Sequence, residues 1–131
     1  MDLIKITPDK EKARSILKMT ALLLERINKS DKEKFASLII TDYYEIIKEL
    51  LTAILLIDGY KTLSHKDLLD YVKEGYKEFS EYEISLLDEL RVLRNRIAYD
   101  GFFVETPYLK RKEPEILKII KKLHKFIENK V

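Results

Sequence analysis

The segment from Phe35 to Asp58 constrains the fold most, because apolar residues cover a broad face of the helix that it predicts. One stripe recurs in alternating steps of four and three residues, and a second set widens it. The stripe is Ile39, Tyr43, Ile46, Leu50, Ala53 and Ile57, and the second set is Phe35, Ile40, Ile47, Leu51, Ile54 and Leu55. A helix this broadly apolar is typical of the centre of a bundle. Gly59 is expected to end it in the left-handed cap conformation.

Start signals precede this central helix and the one before it. Thr7-Pro8 predicts the start of the first helix, with Thr7 as the N-cap and Pro8 at the first helical position. Ser30 and Glu33 have the spacing of a capping box, which predicts that the central helix begins there.

The second half of the chain predicts three more helices. A short one follows Ser64 and ends or bends at Gly75, and a longer one starts at the Ser80–Glu83 capping box and stops at Gly101. An irregular link, FFVETPYLKRKEP, is expected to lead to the last helix. Its core face holds Ile116, Ile119, Ile120, Leu123 and Ile127. No strand is predicted, so residues 1–131 are interpreted as a single all-α domain, an antiparallel four-helix up-and-down bundle with an additional short helix.

The composition excludes several classes of site. With no cysteine there is no disulfide, thiol nucleophile or thiolate metal site. The two histidines, His65 and His124, lie in no ligand-spaced motif, so neither a metal nor a cofactor is predicted. The N-terminus lacks the apolar core of a signal peptide, and no apolar run is long enough to span a bilayer, which favours a soluble cytoplasmic protein with no membrane partner. Abundant lysine and glutamate, with no glutamine, favour a thermophilic source.

The net charge of +2 is unevenly distributed. Residues 1–90 carry 14 Lys/Arg and 18 Asp/Glu, whereas residues 91–131 carry 11 and 5. This asymmetry favours a localised surface that faces an anion. The lysines from Lys110 to Lys125 are interpreted as a solvated face or as an extension of such a surface.

Three arginines, Arg91, Arg94 and Arg96, lie near the end of the fourth predicted helix. At about 100° per residue, Arg91, Arg94 and Asn95 share a face that borders the core stripe, as a cleft wall or dimer interface does. Arginine there suits phosphate, although arginines near a helix C-terminus also simply complement the helix dipole. Tyr99 lies about 140° round an ideal helix from Arg94, so the two are expected to meet only if the last turn loosens or if they come from two chains.

The segments LRNRIAYDG and DYYEIIKELLTAILLIDGYKTLSHKDLLDYV together resemble the HEPN domains, the "higher eukaryotes and prokaryotes nucleotide-binding" helical bundles. The resemblance covers most of the chain. It implies a homodimer in which the fourth helices border a shared cleft. Many members are metal-independent endoribonucleases that carry Arg-x(4–6)-His and use the ribose 2′-hydroxyl. Other members bind without cleaving, and several accompany a small nucleotidyltransferase in toxin–antitoxin or defence pairs.

Carried over by position, Arg94 matches the arginine of that motif and Asn95 the polar residue that follows it. The histidine position falls on Tyr99, and the tyrosine of a longer variant falls on Gly101. Histidine ordinarily titrates near pH 6.5 and tyrosine near about 10, so the exchange removes a proton-transfer group from the motif. Loss of a general acid or base typically slows a reaction by about 10²–10⁴-fold.

Three hypotheses remain open. The first is a protein that binds nucleotide or RNA phosphate through Arg91, Arg94 and Asn95, with catalysis weakened or lost. In the second, Tyr99 replaces the histidine in an active endoribonuclease. The third is a non-catalytic interaction partner. His65 is interpreted as an ordinary first-turn helix residue, His124 as a surface or boundary residue, and Tyr99 equally as an interfacial aromatic.

Overall fold

The computed structural model describes residues 1–131 as five α-helices and one short pair of strands. In chain order these are β1 (Ile4–Lys5), α1 (Lys10–Asn28), α2 (Ala36–Asp58), β2 (Tyr60–Lys61), α3 (His65–Gly75), α4 (Glu81–Asp100) and α5 (Thr106–Glu128). None of the helices combines the length and apolar composition needed to cross a membrane. The all-α bundle expected from the sequence is confirmed.

The central position of α2 is also confirmed. It packs against each of the other four helices, and one continuous apolar cluster takes side chains from all five. Its fully buried members include Tyr43, Leu50 and Ile54, which the sequence assigned to the core. Gly59 ends α2 with φ +87°, in the left-handed region.

The neighbouring helices run antiparallel, as the order of their side-chain contacts shows. Along α4 and α5, Glu83 pairs with Lys122, whereas Glu89, further along α4, accepts a hydrogen bond from Tyr108 near the start of α5. On the other side of the bundle, Arg26 near the end of α1 pairs with Asp42 near the start of α2.

The strand pair was not predicted, and it explains why the predicted start of α1 is wrong. Ile4 pairs with Lys61 and Lys5 with Tyr60, in antiparallel register. The Ile6 N–H donates to the Gly59 carbonyl, so the chain at Thr7 and Pro8 lies against the end of α2. Asp9 caps α1 instead, its side chain accepting from the Lys12 N–H.

The predicted start of α2 is wrong for a local reason. The Asp31 carboxylate accepts from the N–H groups of Glu33 and Lys34, and it holds this segment in a turn. The Ser30 hydroxyl points back and donates to the Arg26 carbonyl at the end of α1, and the Glu33 N–H that it was expected to cap donates to Asp31 instead. The helix therefore begins at Ala36.

The irregular link expected before the last helix is largely helical. α5 begins at Thr106, with Pro107 in its first turn, and continues through Pro114. Leu109 before Pro114 and Ile116 after it are both fully buried. Packing on both sides therefore offsets the hydrogen bond that a proline inside a helix cannot make.

Candidate functional site at the end of α4

The boundaries of α4 place the predicted site residues in its last two turns. The capping box at the start is complete, since the Ser80 hydroxyl accepts from the Glu83 N–H while the Glu83 carboxylate accepts from the Ser80 N–H. At the other end, Gly101 adopts φ +65° and its N–H donates to the Arg96 carbonyl. The helix is regular up to Asp100, so Arg94 to Tyr99 occupy fixed helical positions.

Arg94, Asn95 and Tyr99 are in contact within one chain. The Arg94 Nη1 donates to Asn95 Oδ1 at 3.2 Å and to the Tyr99 hydroxyl oxygen at 3.3 Å. The guanidinium carbon lies 5.7 Å from the centre of the Tyr99 ring, within the range of a cation–π contact. The expectation that they meet only through a loosened turn or across two chains is therefore wrong. The arginine side chain is long enough to reach the Tyr99 hydroxyl round the surface of a regular helix.

Arg91 and Arg94 differ in whether a carboxylate neutralises the charge of the guanidinium. Arg91 Nε donates to Asp88 Oδ1 at 3.0 Å, which forms an ion pair one turn back along α4. Arg94 contacts only the neutral oxygens of Asn95 and Tyr99 and forms no ion pair within the chain. The positive charge of Arg94 is therefore not neutralised within the chain. An anion that binds Arg91 competes with the Asp88 carboxylate for the same guanidinium.

The residues at the end of α4 also differ in how far their side chains are exposed to solvent. Arg94 and Asn95 are half-buried, while Tyr99 is 75% exposed. Arg96, next to them in sequence, lies with its guanidinium carbon 3.9 Å from the centre of the Phe102 ring beyond the helix end. Arg96 thus covers an apolar ring, and Arg94 is the arginine whose charge faces the site.

His65 lies close to this surface, which the sequence did not suggest. It is the first residue of α3, and its ring centre lies 5.9 Å from that of Tyr44 on α2. Burial lowers the pKa of His65 below its usual value, and Lys48 and then Arg94 lower it further by charge repulsion. The interpretation of His65 as a first-turn helix residue is confirmed. Its packing against Tyr44 and the influence of Arg94 on its pKa were not predicted.

Tyr44 links the histidine to the arginines. Burial raises the pKa of Tyr44 to about 12, and this rise is opposed by the positive charges of Arg91 and Arg94. The hydroxyl therefore stays protonated at neutral pH, where it can donate a hydrogen bond but cannot act as a base. We name His65, Tyr44, Arg91, Arg94, Asn95 and Tyr99 the Arg94 cluster.

The exposed part of the Arg94 cluster lies outside the main grooves of the bundle. A groove of about 660 Å³ between α3 and α4 is lined by Lys66 and Asp88 but not by Arg94. Past the end of α4, a second groove of about 470 Å³ is lined mainly by apolar residues, among them Leu38 and Phe103. Such a surface admits an extended ligand more readily than an enclosed small molecule.

The lysine-rich face of α5 lies elsewhere. Lys118, Lys121 and Lys125 line a groove of about 600 Å³ together with Ser80 at the start of α4. Ser80 and Arg94 are separated by most of α4, about 20 Å at 1.5 Å per residue. These lysines therefore form a separate basic area and do not extend the Arg94 cluster along that helix.

The second histidine has a structural role, in line with its interpretation as a boundary residue. His124 Nδ1 lies 2.9 Å from Glu128 Oε1, and its Nε2 lies 3.3 Å from the Leu17 carbonyl oxygen. It joins α5 to α1 and is not a member of the Arg94 cluster. No group of three or more histidine, cysteine, aspartate or glutamate side chains is arranged to hold a metal ion.

The Arg94 cluster thus combines an uncompensated guanidinium and an exposed aromatic ring on α4 with an imidazole at the start of α3. These are groups that bind phosphate, stack on bases and exchange protons near neutral pH. No protein-family model, curated protein or solved structure matches this chain.

Proposed function

We propose that this chain is a HEPN-like protein that binds RNA or nucleotide phosphate at the Arg94 cluster, with catalysis weakened or lost. The observation that carries the proposal is that Arg94 has no carboxylate partner and is oriented by Asn95 and Tyr99. A fixed guanidinium fork binds phosphate oxygens in pairs, and its charge here is not already neutralised.

The exposed ring of Tyr99 supports a single-stranded RNA as the ligand. Single-stranded nucleic acid is bound by aromatic side chains that stack on bases, next to cations that contact the backbone. Tyr99 is exposed beside the Arg94 guanidinium and therefore offers both contacts within one residue pair. The bases of a duplex are stacked on one another, so Tyr99 cannot stack on them and only Arg94 could contact the backbone.

A second candidate, an active metal-independent endoribonuclease, is favoured by the position of His65. The α4 segment has no histidine at the motif position, but the imidazole of His65 is present at the start of α3, and the charge of Arg94 lowers its pKa. Cleavage of RNA that Arg94→Ala abolishes would establish this candidate over the binding protein. Tyr99→Phe then separates a role for the Tyr99 hydroxyl from one for His65.

The proposed assembly is a homodimer with the ends of α4 near a shared cleft, within a toxin–antitoxin or defence setting. Exposed apolar side chains around that end of the molecule support an interface there. They include Leu38 on α2 and Phe103 just after α4. A small nucleotidyltransferase is the proposed partner protein, and such a partner encoded in a neighbouring gene would support the paired setting.

The test of the binding function is a titration of labelled single-stranded RNA with the wild-type chain at about 50 mM salt, followed by fluorescence anisotropy. Hydrogen bonds to charged groups contribute about 1.5–3 kcal/mol, so Arg94→Ala is expected to weaken binding by about tenfold to a hundredfold. It should also reduce the dependence of affinity on salt by about one counterion. A mononucleotide titrated in parallel distinguishes an RNA ligand from a nucleotide.

The matched control is Arg14→Ala. Arg14 lies on α1, pairs with Glu11 and is not a member of the Arg94 cluster. Its loss removes the same charge from the protein without touching the site, so RNA affinity should stay close to that of the wild type. Equal weakening by both variants would mean that only the net charge matters, and would contradict the proposal.

A further inference from the structure

His65 occupies a fixed position at the start of α3. The Ser64 hydroxyl caps this helix by accepting the Asp67 N–H, which holds His65 in the first turn. The imidazole packs at a tilt of 46° against Tyr44, whose side chain is buried in the core. A half-buried ring between a capped helix and a core aromatic is held in place before any ligand arrives.

His65 begins α3 next to Lys66, which lines the groove between α3 and α4 together with Asp88, the partner of Arg91. The charges that act on the pKa of His65 are those of Glu45 and Lys48 on α2, and of Arg91 and Arg94 on α4. Lys48 is paired with Glu45 at 2.6 Å and with Glu49 at 3.5 Å, and Arg91 is paired with Asp88. Arg94 is the cation of this group without a carboxylate partner. The start of a helix adds a partial positive charge of its own.

The ring nitrogens of His65 are available to a ligand. Of the two histidines, His124 is the one whose nitrogens form hydrogen bonds within the chain. A half-buried imidazole without internal partners, in a positive environment, is suited to an anionic ligand that supplies hydrogen-bond acceptors.

We infer that His65 is a second ligand-contacting residue of the Arg94 cluster, and that its imidazole takes up a proton when an RNA phosphodiester binds there. The inference rests on the proposed function and adds a residue that the α4 motif does not contain. Protonation gives His65 two donors, so that it holds phosphate together with the guanidinium of Arg94.

The proton uptake follows from the charges. In the free protein, burial and the cations Lys48 and Arg94 lower the pKa of His65, so the ring is neutral at pH 7. A bound phosphodiester brings a negative charge next to the ring, which opposes the effect of the cations and raises the pKa of His65. Binding therefore becomes tighter as pH falls between the pKa of the bound form and that of the free form.

Nuclear magnetic resonance measures this change directly, because the chain has two histidines and their ring signals are readily separated. His124→Gln assigns the remaining signal to His65. The pKa of His65 is measured in the free protein, in Arg94→Gln and in the presence of a short oligouridylate. We expect Arg94→Gln to raise the pKa of His65 in the free protein, and the oligouridylate to raise it in the wild type.

Affinity gives the second readout. Oligouridylate phosphates and bases do not titrate between about pH 5.5 and 8, so any pH dependence of binding belongs to the protein. The wild-type affinity should increase as pH falls, by at most about tenfold per pH unit for one proton. His65→Gln should remove most of this dependence, and His124→Gln should leave it unchanged.

The outcomes separate this inference from the proposed function. Binding that depends on Arg94, with an unchanged pKa of His65 and the same pH dependence in His65→Gln, overturns the inference and leaves the proposed function standing. A pKa of His65 that Arg94→Gln does not raise also overturns the inference. If the wild-type chain binds neither the oligouridylate nor the labelled single-stranded RNA of the binding test, both the inference and the proposed function fail.

Discussion

Tyr43, which is fully buried, and Glu113, which is half-buried, form a polar pair at the edge of the apolar core. The Tyr43 hydroxyl donates to Glu113 Oε2 at 2.6 Å, and Lys32 Nζ approaches Glu113 Oε1 at 3.0 Å. Burial raises the pKa of Tyr43, and the hydrogen bond to Glu113 raises it further, so the tyrosine is the donor. The pair ties α2 to α5 near the site where Pro114 interrupts the hydrogen bonds of α5.

Tyr43→Phe is therefore expected to destabilise the fold by about 2 kcal/mol, because it removes a hydrogen bond to a charged group and leaves that carboxylate with one partner fewer. The measurement is the urea midpoint at neutral pH. Tyr82→Phe is the matched control, since Tyr82 also donates to a glutamate of α5, Glu115, but is 52% exposed. The midpoint of the control should hardly move, and an equal loss in both variants would contradict the role of burial.

At the scale of residues, the sequence identified one helix face of the site. Arg94 and Asn95 are neighbours on α4, so their spacing is sufficient to place them together. The contact between Arg94 and Tyr99 was not predicted, because helix geometry puts them about 140° apart and only the length of the arginine side chain brings its Nη1 to the Tyr99 hydroxyl. His65 and Tyr44 belong to α3 and α2, and their approach to Arg94 depends on how three helices pack. The sequence does place His65 directly after a helix-capping serine, but nothing in that position indicates which helix end it faces.

At the scale of elements, the two glycine caps are a matched pair. Gly59 after α2 and Gly101 after α4 both have positive φ. A β-carbon on Gly101 would meet open space, whereas one on Gly59 would lie 3.1 Å from the Ile6 carbonyl oxygen and 3.2 Å from Pro8 Cγ. Ile6 and Pro8 approach Gly59 closely because the pairing of β1 with β2 holds the chain before α1 against the end of α2.

Alanine at Gly101 is expected to cost about 1 kcal/mol, which is the penalty of a left-handed conformation for a residue with a β-carbon. Alanine at Gly59 should lower the free energy of unfolding by more than this. The new β-carbon has the same conformational penalty and in addition crowds the Ile6 carbonyl oxygen and the Pro8 ring. Urea midpoints of the two variants make the comparison. A loss at Gly59→Ala no larger than that at Gly101→Ala would show that the N-terminal segment simply moves aside.

The elements that the sequence placed correctly are those whose signals are local. The Ser80–Glu83 capping box and the glycine stops need only neighbouring residues, and the structure contains all of them. The starts of α1 and α5 were misplaced because distant contacts decide them, whereas the start of α2 was misplaced because of the local turn that Asp31 holds. Pro8 lies against Gly59, and Leu109 is drawn into the core with the first turns of α5, although Pro114 follows.

At the scale of the whole molecule, the basic second half of the sequence divides between two places. Four lysines in the second half of α5 lie beside the start of α4, namely Lys118, Lys121, Lys122 and Lys125. The uncompensated guanidinium of Arg94 lies near the other end of α4. The charge asymmetry of the chain thus predicts an anion-facing surface without showing which of the two areas it is. Arg94 is the better candidate because aromatic and imidazole groups accompany its charge.

The end of α4 is also where the molecule exposes the largest fraction of an aromatic side chain. Phe103 is 82% exposed, and with Leu38 it borders the groove of about 470 Å³ past Gly101. Apolar side chains exposed around a groove mark interaction surfaces. The proposed homodimer covers them with a second copy of the chain, which also brings two copies of Arg94 towards one cleft.

A double variant, Leu38→Asp with Phe103→Asp, is therefore expected to convert the dimer into a monomer. Burial of one large apolar side chain contributes about 1.5–3 kcal/mol, so losing both from each copy raises the dissociation constant by several orders of magnitude. Sedimentation equilibrium measures it. Met19→Asp with Leu22→Asp is the control, because both residues are exposed to a similar degree on α1, away from α4, and their replacement should leave the dimer intact. A wild-type chain that sediments as a monomer at about millimolar concentration, where even weak association is populated, would contradict the dimer and would leave Phe103 as a surface for a different partner.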